Sequence, residues 1–463
     1  MDMLKVYSPH DLHLIREIPF SKTKEIERSL ERAEKLFKDK KNHIPAWKRI
    51  EVLEKVVEIM ESKRTFLAKL AAEEGGKPLV DSIVEVDRAI NGVKIAISYS
   101  GVMSGEQIPM GQTMSSQNRL AFTIREPIGV VVSISAFNHP LNLIIHQTVT
   151  AIAAGCPVII KPALTTPLSC IEFMHILKEA GLEDGWCQYI ICDNENAEKL
   201  ATDPRVSFLN FIGSAKVGWY LRSKLSPGTR IALEHGGVAP VIVEPDANLN
   251  ELIPAITKGG FYHAGQVCVS VQRVFVHKDI AKEVAEKLAS AAKKLVVGDP
   301  LSMDTEVGPL ITTSVVDRVQ SWVDEAIGEG AKLLTGGKKL SDSYYEPTVL
   351  LNPSNNSKVS KEEVFGPIIC IYEYDDVDKA IRIANSLSVS FQASVFTKNI
   401  DNALKAASEI NASAVMINDH TAFRVDWMPF GGSESSGIGV GGIPYAMKEM
   451  TQEKLIVIKS SKI

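Results

Sequence analysis

Apolar residues recur at helical spacing through residues 24–100. The clearest stripe consists of Trp47, Ile50, Leu53, Val56, Val57 and Met60. Lysine and glutamate fill the opposite face, so one side of each predicted helix packs inward and the other side meets water. The pattern therefore predicts amphipathic helices that cover another layer of the protein.

The spacing changes to two within residues 108–126. Leu120, Phe122 and Ile124 alternate there with mostly polar neighbours, which predicts a half-buried strand. A similar short strand is predicted at residues 455–458, with no later segment predicted to cover its edge. Because the first of these strands lies outside the helical region, we expect this arm to pair with another subunit.

Strands and helices alternate between residues 128 and 235. The predicted strands are 128–137, 157–161, 186–192, 206–211 and 229–234, with helices at 141–154, at 167–180 and after Ser214. Apolar strands joined by crossover helices are typical of a parallel, doubly wound sheet of the dinucleotide-binding kind. Ligands of such sheets bind beyond the carboxyl ends of the strands.

A second alternating region covers residues 238–417, with apolar strands predicted at 271–276, 368–374 and 413–417. Together the patterns predict an α/β protein with a doubly wound, Rossmann-like cofactor domain, a second α/β catalytic domain and a small β oligomerisation arm. The predicted boundaries are 1–107 and 127–236 for the cofactor domain, rejoined by about 434–450, then 237–433 for the catalytic domain, and 108–126 with 451–463 for the arm and tail strand.

Composition narrows the class of protein. The 463 residues are 45% hydrophobic and 23% charged, as in soluble globular proteins. A net charge of −5 gives no electrostatic reason to expect nucleic acid or an anionic membrane as partner. Residues 1–5 do not resemble a signal peptide, and the most apolar window, 141–160, is interrupted by polar residues, so no membrane span is expected.

The six cysteines are dispersed and form neither a CxxC pair nor a Cys/His ligand pattern. This spacing predicts no metal site and no disulfide framework, and it fits a reducing cytoplasm. Cys268 differs from the others because it follows Gly265-Gln266-Val267 just before an apolar strand. A thiol with a pKa of about 8.5 is nucleophilic through its small thiolate fraction. The stretch alone leaves two interpretations open, a reactive thiol and a buried small hydrophobe.

Two further polar residues lie at predicted strand ends. Glu234 precedes a sharp turn at Gly236-Gly237 and could act as a general base or form a structural ion pair. Asn138 offers an amide donor that could stabilise an oxyanion, although an Asn before His-Pro is also ordinary turn chemistry.

The predicted sheet offers two positions for a nucleotide. Lys161 ends a buried strand, where it could meet a ribose or phosphate or could equally be a solvated lysine. Gly213 and Ser214 open a helix, where they could hold a pyrophosphate, or Ser214 could simply be an N-cap. Residues 437–442 match GxGxxG but do not follow a strand inside a βαβ unit, so this match is weak.

Seven ordered segments resemble the aldehyde dehydrogenase superfamily over nearly the whole chain. They are Phe137-Asn138-His139-Pro140, Lys161-Pro162-Ala163, Phe211-Ile212-Gly213-Ser214, Leu233-Glu234-His235-Gly236-Gly237, Gly265-Gln266-Val267-Cys268, Glu362-Glu363-Val364-Phe365-Gly366-Pro367 and Pro429-Phe430-Gly431-Gly432. The resemblance implies that Cys268 is the nucleophile, that Asn138 holds the oxyanion, and that Glu234 activates water. It also implies a site for NAD, with NADP as the alternative, formed by Phe137, Lys161, Gly213, Ser214, Glu363 and Phe365.

Departures from the family pattern bear on the ligands. Leu164 stands where many NAD-using members have glutamate, which leaves the choice between NAD and NADP open. Val267 stands where the branch using phosphorylated glyceraldehyde commonly has arginine, and Arg424 could read an anionic or hydroxylated substrate or form a surface salt bridge.

The chain is most similar to the lactaldehyde dehydrogenase branch, which is associated in methane-producing archaea with deazaflavin coenzyme biosynthesis. The resemblance implies a small aldehyde substrate, with lactaldehyde as first candidate, and a homodimer or homotetramer. Glyceraldehyde 3-phosphate and succinate semialdehyde are the alternative substrates. A non-catalytic dinucleotide-binding protein is the alternative of another class.

Overall fold

The computed structural model describes residues 3–462, so residues 1, 2 and 463 of the predicted cofactor domain and tail lie outside the described residues. The chain opens with an antiparallel hairpin of strands Met3–Tyr7 and Leu14–Pro19. The hydrophobic pattern did not predict this hairpin, because charged residues interrupt the alternation in both strands.

The predicted helical layer is confirmed as four helices. They are Thr23–Lys38, Ala46–Ser62, Arg64–Gly75 and Leu79–Ser100. Leu53, Val56 and Met60 are fully buried, as their spacing predicts. The placement of Trp47 in the buried stripe is wrong, since this side chain is 66% exposed and the buried face of its helix starts only at Val52.

The predicted parallel, doubly wound sheet is confirmed. We call this six-stranded sheet the cofactor sheet, and its strand order is Gly437–Ile438, Arg230–Glu234, Val206–Ile212, Val130–Ile134, Val158–Lys161, Cys187–Tyr189. All neighbours are parallel except the first pair. The flanking helices are Asn142–Ala154, Leu168–Glu179, Asn194–Thr202, Ala215–Lys224 and Ile443–Glu449. The strand order reverses direction beside Val130–Ile134, which places a ligand crevice at the carboxyl ends of the central strands.

A second, seven-stranded sheet, the catalytic sheet, follows in the chain. Its order is Lys332–Thr335, Thr348–Leu351, Ile368–Tyr374, Val271–His277, Ala239–Val243, Gln392–Phe396, Ala414–Ile417. Only the first pair is antiparallel. Its helices are Leu249–Phe261, Lys278–Lys294, Thr313–Gly328, Lys358–Lys361, Val377–Ala384 and Ile400–Glu409. The three strands predicted here are confirmed to within one residue, whereas the domain boundaries stay predictions.

The arm and the tail form a three-stranded antiparallel sheet of Gln107–Ile108, Arg119–Pro127 and Thr451–Lys459. Arg119–Pro127 pairs along its length with the tail of its own chain. A ladder of nine residue pairs satisfies the backbone groups that face each other across these two strands. The expectation that the arm pairs with another subunit stays a prediction. The tail is an edge strand, and Leu455 and Val457 on it are 56% and 47% exposed. Among residues 3–462 no helix is long and apolar enough to cross a membrane.

Candidate active site

A cavity of about 770 Å³ lies between the two sheets. Its walls are the carboxyl ends of strands in the cofactor sheet and the segments that precede two strands of the catalytic sheet. The structure brings all the predicted site residues to this cavity, namely Cys268, Glu234, Asn138, Phe137, Lys161, Gly213, Ser214, Glu363 and Phe365. The position agrees with the rule that ligands of parallel sheets bind beyond the strand ends.

Cys268 lies in a tight turn that the preceding residues force on the chain. His263 and Ala264 have φ values of 49° and 53°, and Gly265 follows at 71°. A Cβ at Gly265 would lie 2.1 Å from the Gly366 carbonyl oxygen, so only glycine fits. The turn is closed by a 2.9 Å hydrogen bond that the Ser270 N–H donates to the Val267 carbonyl. The thiol is thereby presented from an irregular segment of the cavity wall.

The surroundings of Cys268 favour the protonated thiol. Burial raises its pKa well above the ordinary value, and the nearby carboxylates of Glu234 and Glu363 raise it further, while the Arg424 guanidinium opposes the shift. Burial also raises the pKa of Glu234. A carboxylate of raised pKa beside a protonated thiol is a better proton acceptor than an exposed glutamate.

Glu234 ends its strand against the glycine-rich segment 437–442. A Cβ on Gly441 would lie 3.6 Å from Glu234 Oε2, and one on Gly437 would lie 2.2 Å from the Leu233 carbonyl oxygen. Gly437 and Ile438 pair antiparallel with Glu234 and Leu233. Gly437 lets the segment pack closely against the strand that carries Glu234. The short helix Ile443–Glu449, which Gly442 caps, follows an antiparallel strand and not a parallel strand of a βαβ unit, so the GxGxxG match has a packing role here.

Asn138 joins the two sheets across the cavity. Its side chain is 5% exposed and donates one amide N–H to the Gln266 carbonyl at 2.9 Å, which leaves its second N–H for a ligand. The following backbone is fixed by Glu85, whose Oε1 accepts hydrogen bonds from the N–H groups of Leu141 and Asn142 at 2.9 and 3.0 Å. Glu85 in turn pairs with the buried ammonium of Lys77.

The residues predicted to bind a cofactor have polar groups that the protein leaves unsatisfied. Lys161 is only 7% exposed, and the contact of its Nζ is with the Pro162 carbonyl at 3.5 Å, so the alternative of a solvated lysine is wrong. Ser214 precedes the helix Ala215–Lys224, and its side chain makes no capping hydrogen bond. A ligand with hydroxyl and phosphate groups would supply partners for both.

Glu363 also lines the cavity and has a polar atom that the protein leaves unsatisfied. Its Oε1 is buried without a hydrogen-bond partner among the described residues, and burial raises its pKa to about 8. A Cβ on Gly236 would lie 1.8 Å from that oxygen, so the Glu363 carboxylate packs directly against this glycine. Nearby, the rings of Phe137 and Phe365 meet edge to face with centroids 5.7 Å apart. Orphaned donors and acceptors beside aromatic walls fit a dinucleotide.

His235 also lines the cavity, and its Nε2 is buried without a hydrogen-bond partner among the described residues, but its ring is tightly packed. It is 2% exposed, its Nδ1 lies 2.8 Å from the Gly213 carbonyl, and its ring packs between Phe211 and Trp219.

Two arginines, Arg88 and Arg424, also line the cavity. Arg424 was open to interpretation as a surface salt bridge, but its guanidinium is 11% exposed and lies 3.5 Å from the centroid of the Phe430 ring. Its Nε is buried without a partner among the described residues. Arg88 donates two hydrogen bonds to Asp426 at 3.0 and 2.7 Å, so a carboxylate already neutralises it. No signal in the sequence identifies Arg88, since it is one charge among many on an amphipathic helix.

Replacement of Arg424 by glutamine should shift the ionisation of Cys268 to higher pH. Arg424 lowers the pKa of that thiol, so its removal raises the pKa and reduces the thiolate fraction at any fixed pH. The rate of iodoacetamide labelling of Cys268, followed by mass spectrometry across pH, measures the shift. Arg222→Gln, at an exposed arginine outside the cavity, is the matched control. An unchanged or lower labelling midpoint in the Arg424 variant would contradict this expectation.

Comparisons with known proteins agree with this geometry. The chain is 39% identical to the 3-sulfolactaldehyde dehydrogenase of Priestia megaterium over 90% of this chain and 87% of that protein. It is 38% identical to the lactaldehyde dehydrogenase of Methanocaldococcus jannaschii over 98% of this chain and 97% of that protein.

Solved structures match equally well. An aldehyde dehydrogenase of Physcomitrella patens in complex with the reaction product succinate superposes with a TM-score of 0.96 at 34% identity, covering 99% of this chain and 95% of that one. The glyceraldehyde-3-phosphate dehydrogenase GapN of Methanocaldococcus jannaschii, complexed with NADP, superposes with a TM-score of 0.94 at 37% identity, covering 99% of each chain. The model of the aldehyde dehydrogenase family matches residues 2–456. The chain therefore belongs to the aldehyde dehydrogenase family.

Proposed function

We propose that the protein oxidises a small 2-hydroxy aldehyde, with lactaldehyde as the first candidate, to the corresponding carboxylic acid, using NAD(P). The observation that carries the proposal is the arrangement of Cys268, Glu234 and Asn138 around one cavity with the unsatisfied cofactor residues. Lactaldehyde, 3-sulfolactaldehyde and glyceraldehyde 3-phosphate, the aldehydes named for three of its relatives, all carry a hydroxyl on the carbon next to the aldehyde.

The first proposed step is the addition of Cys268 to the aldehyde carbon. Glu234 accepts the thiol proton, and the sulfur bonds to the carbonyl carbon while the carbonyl oxygen becomes an oxyanion. The free amide N–H of Asn138 and the backbone N–H of Cys268 donate to that oxygen. One such preorganised donor typically contributes ~10²–10³ in rate.

The second half of the reaction oxidises the carbon and releases the acid. A bound nicotinamide cofactor, held by Lys161, Ser214 and Glu363, supplies the acceptor for the hydride of the aldehyde carbon. The carbon is then a thioester of Cys268. After the thiol proton has passed from Glu234 to solvent, Glu234 removes a proton from a water molecule and the water oxygen bonds to the carbonyl carbon. The Cys268–carbon bond then breaks, which releases the carboxylic acid, and the Cys268 thiolate takes the proton from Glu234. Such a general base typically contributes ~10²–10⁴ in rate.

We propose NAD as the cofactor, with NADP as the alternative. Leu164, which replaces the glutamate found in many NAD-using members, packs against an apolar cluster around Leu168 and Ile171. It offers no carboxylate to the adenosine ribose and no repulsion to a 2′-phosphate. Separate measurements with each cofactor decide between them.

A second candidate substrate class is an aldehyde that carries an anionic group, such as glyceraldehyde 3-phosphate or succinate semialdehyde. Arg424 supports it, because its Nε has no hydrogen-bond partner among the described residues, its nearest ion-pair contact, with Asp426, is long at 4.0 Å, and a guanidinium binds carboxylate or phosphate in bidentate geometry. Neither neighbouring position adds a second free cation for such an anion. Val267, beside Cys268, is uncharged, and the guanidinium of Arg88 is already paired with Asp426.

An absorbance assay of NADH and NADPH formation tests the proposal on lactaldehyde, glycolaldehyde, glyceraldehyde 3-phosphate and succinate semialdehyde. We expect the highest kcat/KM among the 2-hydroxy aldehydes. Turnover confined to succinate semialdehyde would contradict the proposal of a 2-hydroxy aldehyde substrate. It would favour a site that recognises only the anionic group of the substrate. If lactaldehyde is the substrate the product is lactate, and on resemblance alone we assign that lactate to deazaflavin coenzyme biosynthesis in a cytoplasmic setting.

We also propose a homodimer or homotetramer that uses the free edge of the tail strand Thr451–Lys459. Leu455 and Val457 lie exposed on that edge strand, which leaves apolar surface and backbone groups for another subunit. The double variant Leu455→Lys, Val457→Lys should lower the mass measured by light scattering. A monomeric wild-type protein at micromolar concentration would contradict this proposal.

A further inference from the structure

Two polar side chains of the cavity wall have no part in the reaction described above. His139 directly follows Asn138 in the chain, and Tyr262 begins the strained turn that leads to Cys268. Both line the cavity, and the Tyr262 hydroxyl lies 3.4 Å from His139 Nε2. This contact is long for a hydrogen bond, so both groups keep capacity for a ligand.

Both side chains are uncharged at neutral pH. Burial lowers the pKa of His139 well below its ordinary value, and the nearby cations Lys77 and Arg88 lower it further. Burial raises the pKa of Tyr262. A neutral imidazole and a phenol each donate and accept hydrogen bonds, which suits an alcohol better than an anion.

The backbone fixes where these groups lie relative to the reacting carbon. His139 directly follows Asn138, the proposed donor to the aldehyde oxygen, in the chain. Tyr262 is held by the left-handed residues that follow it and by the Lys258 ammonium, 4.9 Å from the centroid of its ring. In an aldehyde bonded to Cys268, the carbon that bears the 2-hydroxyl is directly attached to the carbon that is bonded to the sulfur.

We propose that His139 and Tyr262 form a recognition pair for this 2-hydroxyl, so that they determine the preference for 2-hydroxy aldehydes. The inference rests on the proposed function and deepens it. The pair differs in role from Arg424, whose charge suits an anionic group. Because a buried donor left without its partner is costly, an aldehyde that lacks the hydroxyl should react more slowly.

The comparison of lactaldehyde with propanal tests this pair, since the two aldehydes differ only in the hydroxyl. We expect the wild-type protein to favour lactaldehyde in kcat/KM by ~10²-fold or more. Tyr262→Phe and His139→Phe should each lower that ratio by ~10-fold or more, whereas turnover of propanal should be retained. His139→Gln, which keeps a donor and an acceptor, should retain more of the ratio than His139→Phe.

Tyr345→Phe is the matched control, because it removes a buried phenol that lies outside the cavity. An unchanged ratio in both Phe variants would overturn the inference, and so would equal losses with both aldehydes, which indicate a merely structural role. Equal wild-type rates with lactaldehyde and propanal would also overturn it. If the wild-type protein oxidises other aldehydes but no 2-hydroxy aldehyde, the proposed function itself fails, so the two failures are distinguishable.

Discussion

Replacement of Cys268 by alanine is expected to lower kcat/KM for aldehyde oxidation by ~10⁴-fold or more, because no other thiol among the described residues lines the cavity. Binding of NAD(P) should persist, since Lys161, Ser214 and Glu363 are untouched. Steady-state absorbance measures the first effect, and a titration of cofactor fluorescence measures the second. Together they separate a catalytic cysteine from a structural one.

The control for this variant is Cys187→Ala. Cys187 is half-buried at the edge of the cofactor sheet and does not line the cavity. Turnover in the control should match the wild-type protein. If Cys268→Ala retains turnover, another group performs the chemistry, and if the wild-type protein binds cofactor but oxidises no aldehyde, the alternative of a non-catalytic dinucleotide-binding protein is favoured.

Replacement of Glu234 by glutamine is expected to lower steady-state turnover by ~10²–10⁴-fold, because the amide cannot accept a proton from water. Alkaline pH should restore the addition step through direct ionisation of the Cys268 thiol, whose pKa the neighbouring carboxylate raises. Stopped-flow mixing at alkaline pH should then show a burst of NAD(P)H followed by slow turnover. The burst locates the defect in hydrolysis of the thioester.

Glu434→Gln is the matched control, since this carboxylate is exposed on the neighbouring strand Ser433–Glu434. It should turn over at the wild-type rate. The absence of any rate loss in Glu234→Gln would contradict the proposed hydrolysis. Wild-type turnover that requires coenzyme A would instead identify an acylating dehydrogenase, a reaction in which Glu234 has no use as a base for water.

The fold was predictable where one segment contains its own pattern. Apolar strands such as Val130–Ile134 and Ile368–Tyr374 lie in runs of β-branched and apolar residues bounded by turn residues, and the structure confirms them. The pairing of Arg119–Pro127 with the tail was not predictable, because it joins strands that are far apart in the sequence. Which strand lies at the edge of a sheet, and which strand it pairs with, depend on such distant pairing.

The site was predictable only in part, for the same reason. Cys268, Glu234 and Asn138 lie in short segments whose residue types suggest chemistry. Arg88 is held at the cavity by its hydrogen bonds to Asp426, which is 338 positions away in the chain. The sequence around neither residue indicates a functional site. His139 was already within a recognised segment, but only packing shows that its ring lines the cavity.

Local patterns in the chain predicted most of its helices and strands in their order, and they pointed to Cys268, Glu234 and Asn138, which we propose as nucleophile, base and oxyanion donor. These features depend on a residue and its immediate neighbours. Only folding brings Cys268, Glu234 and Asn138 to one cavity, removes Lys161 and Arg424 from water, and raises the pKa of the Cys268 thiol. The physical reason is that burial and the fields of neighbouring charges arise from segments that only folding brings together.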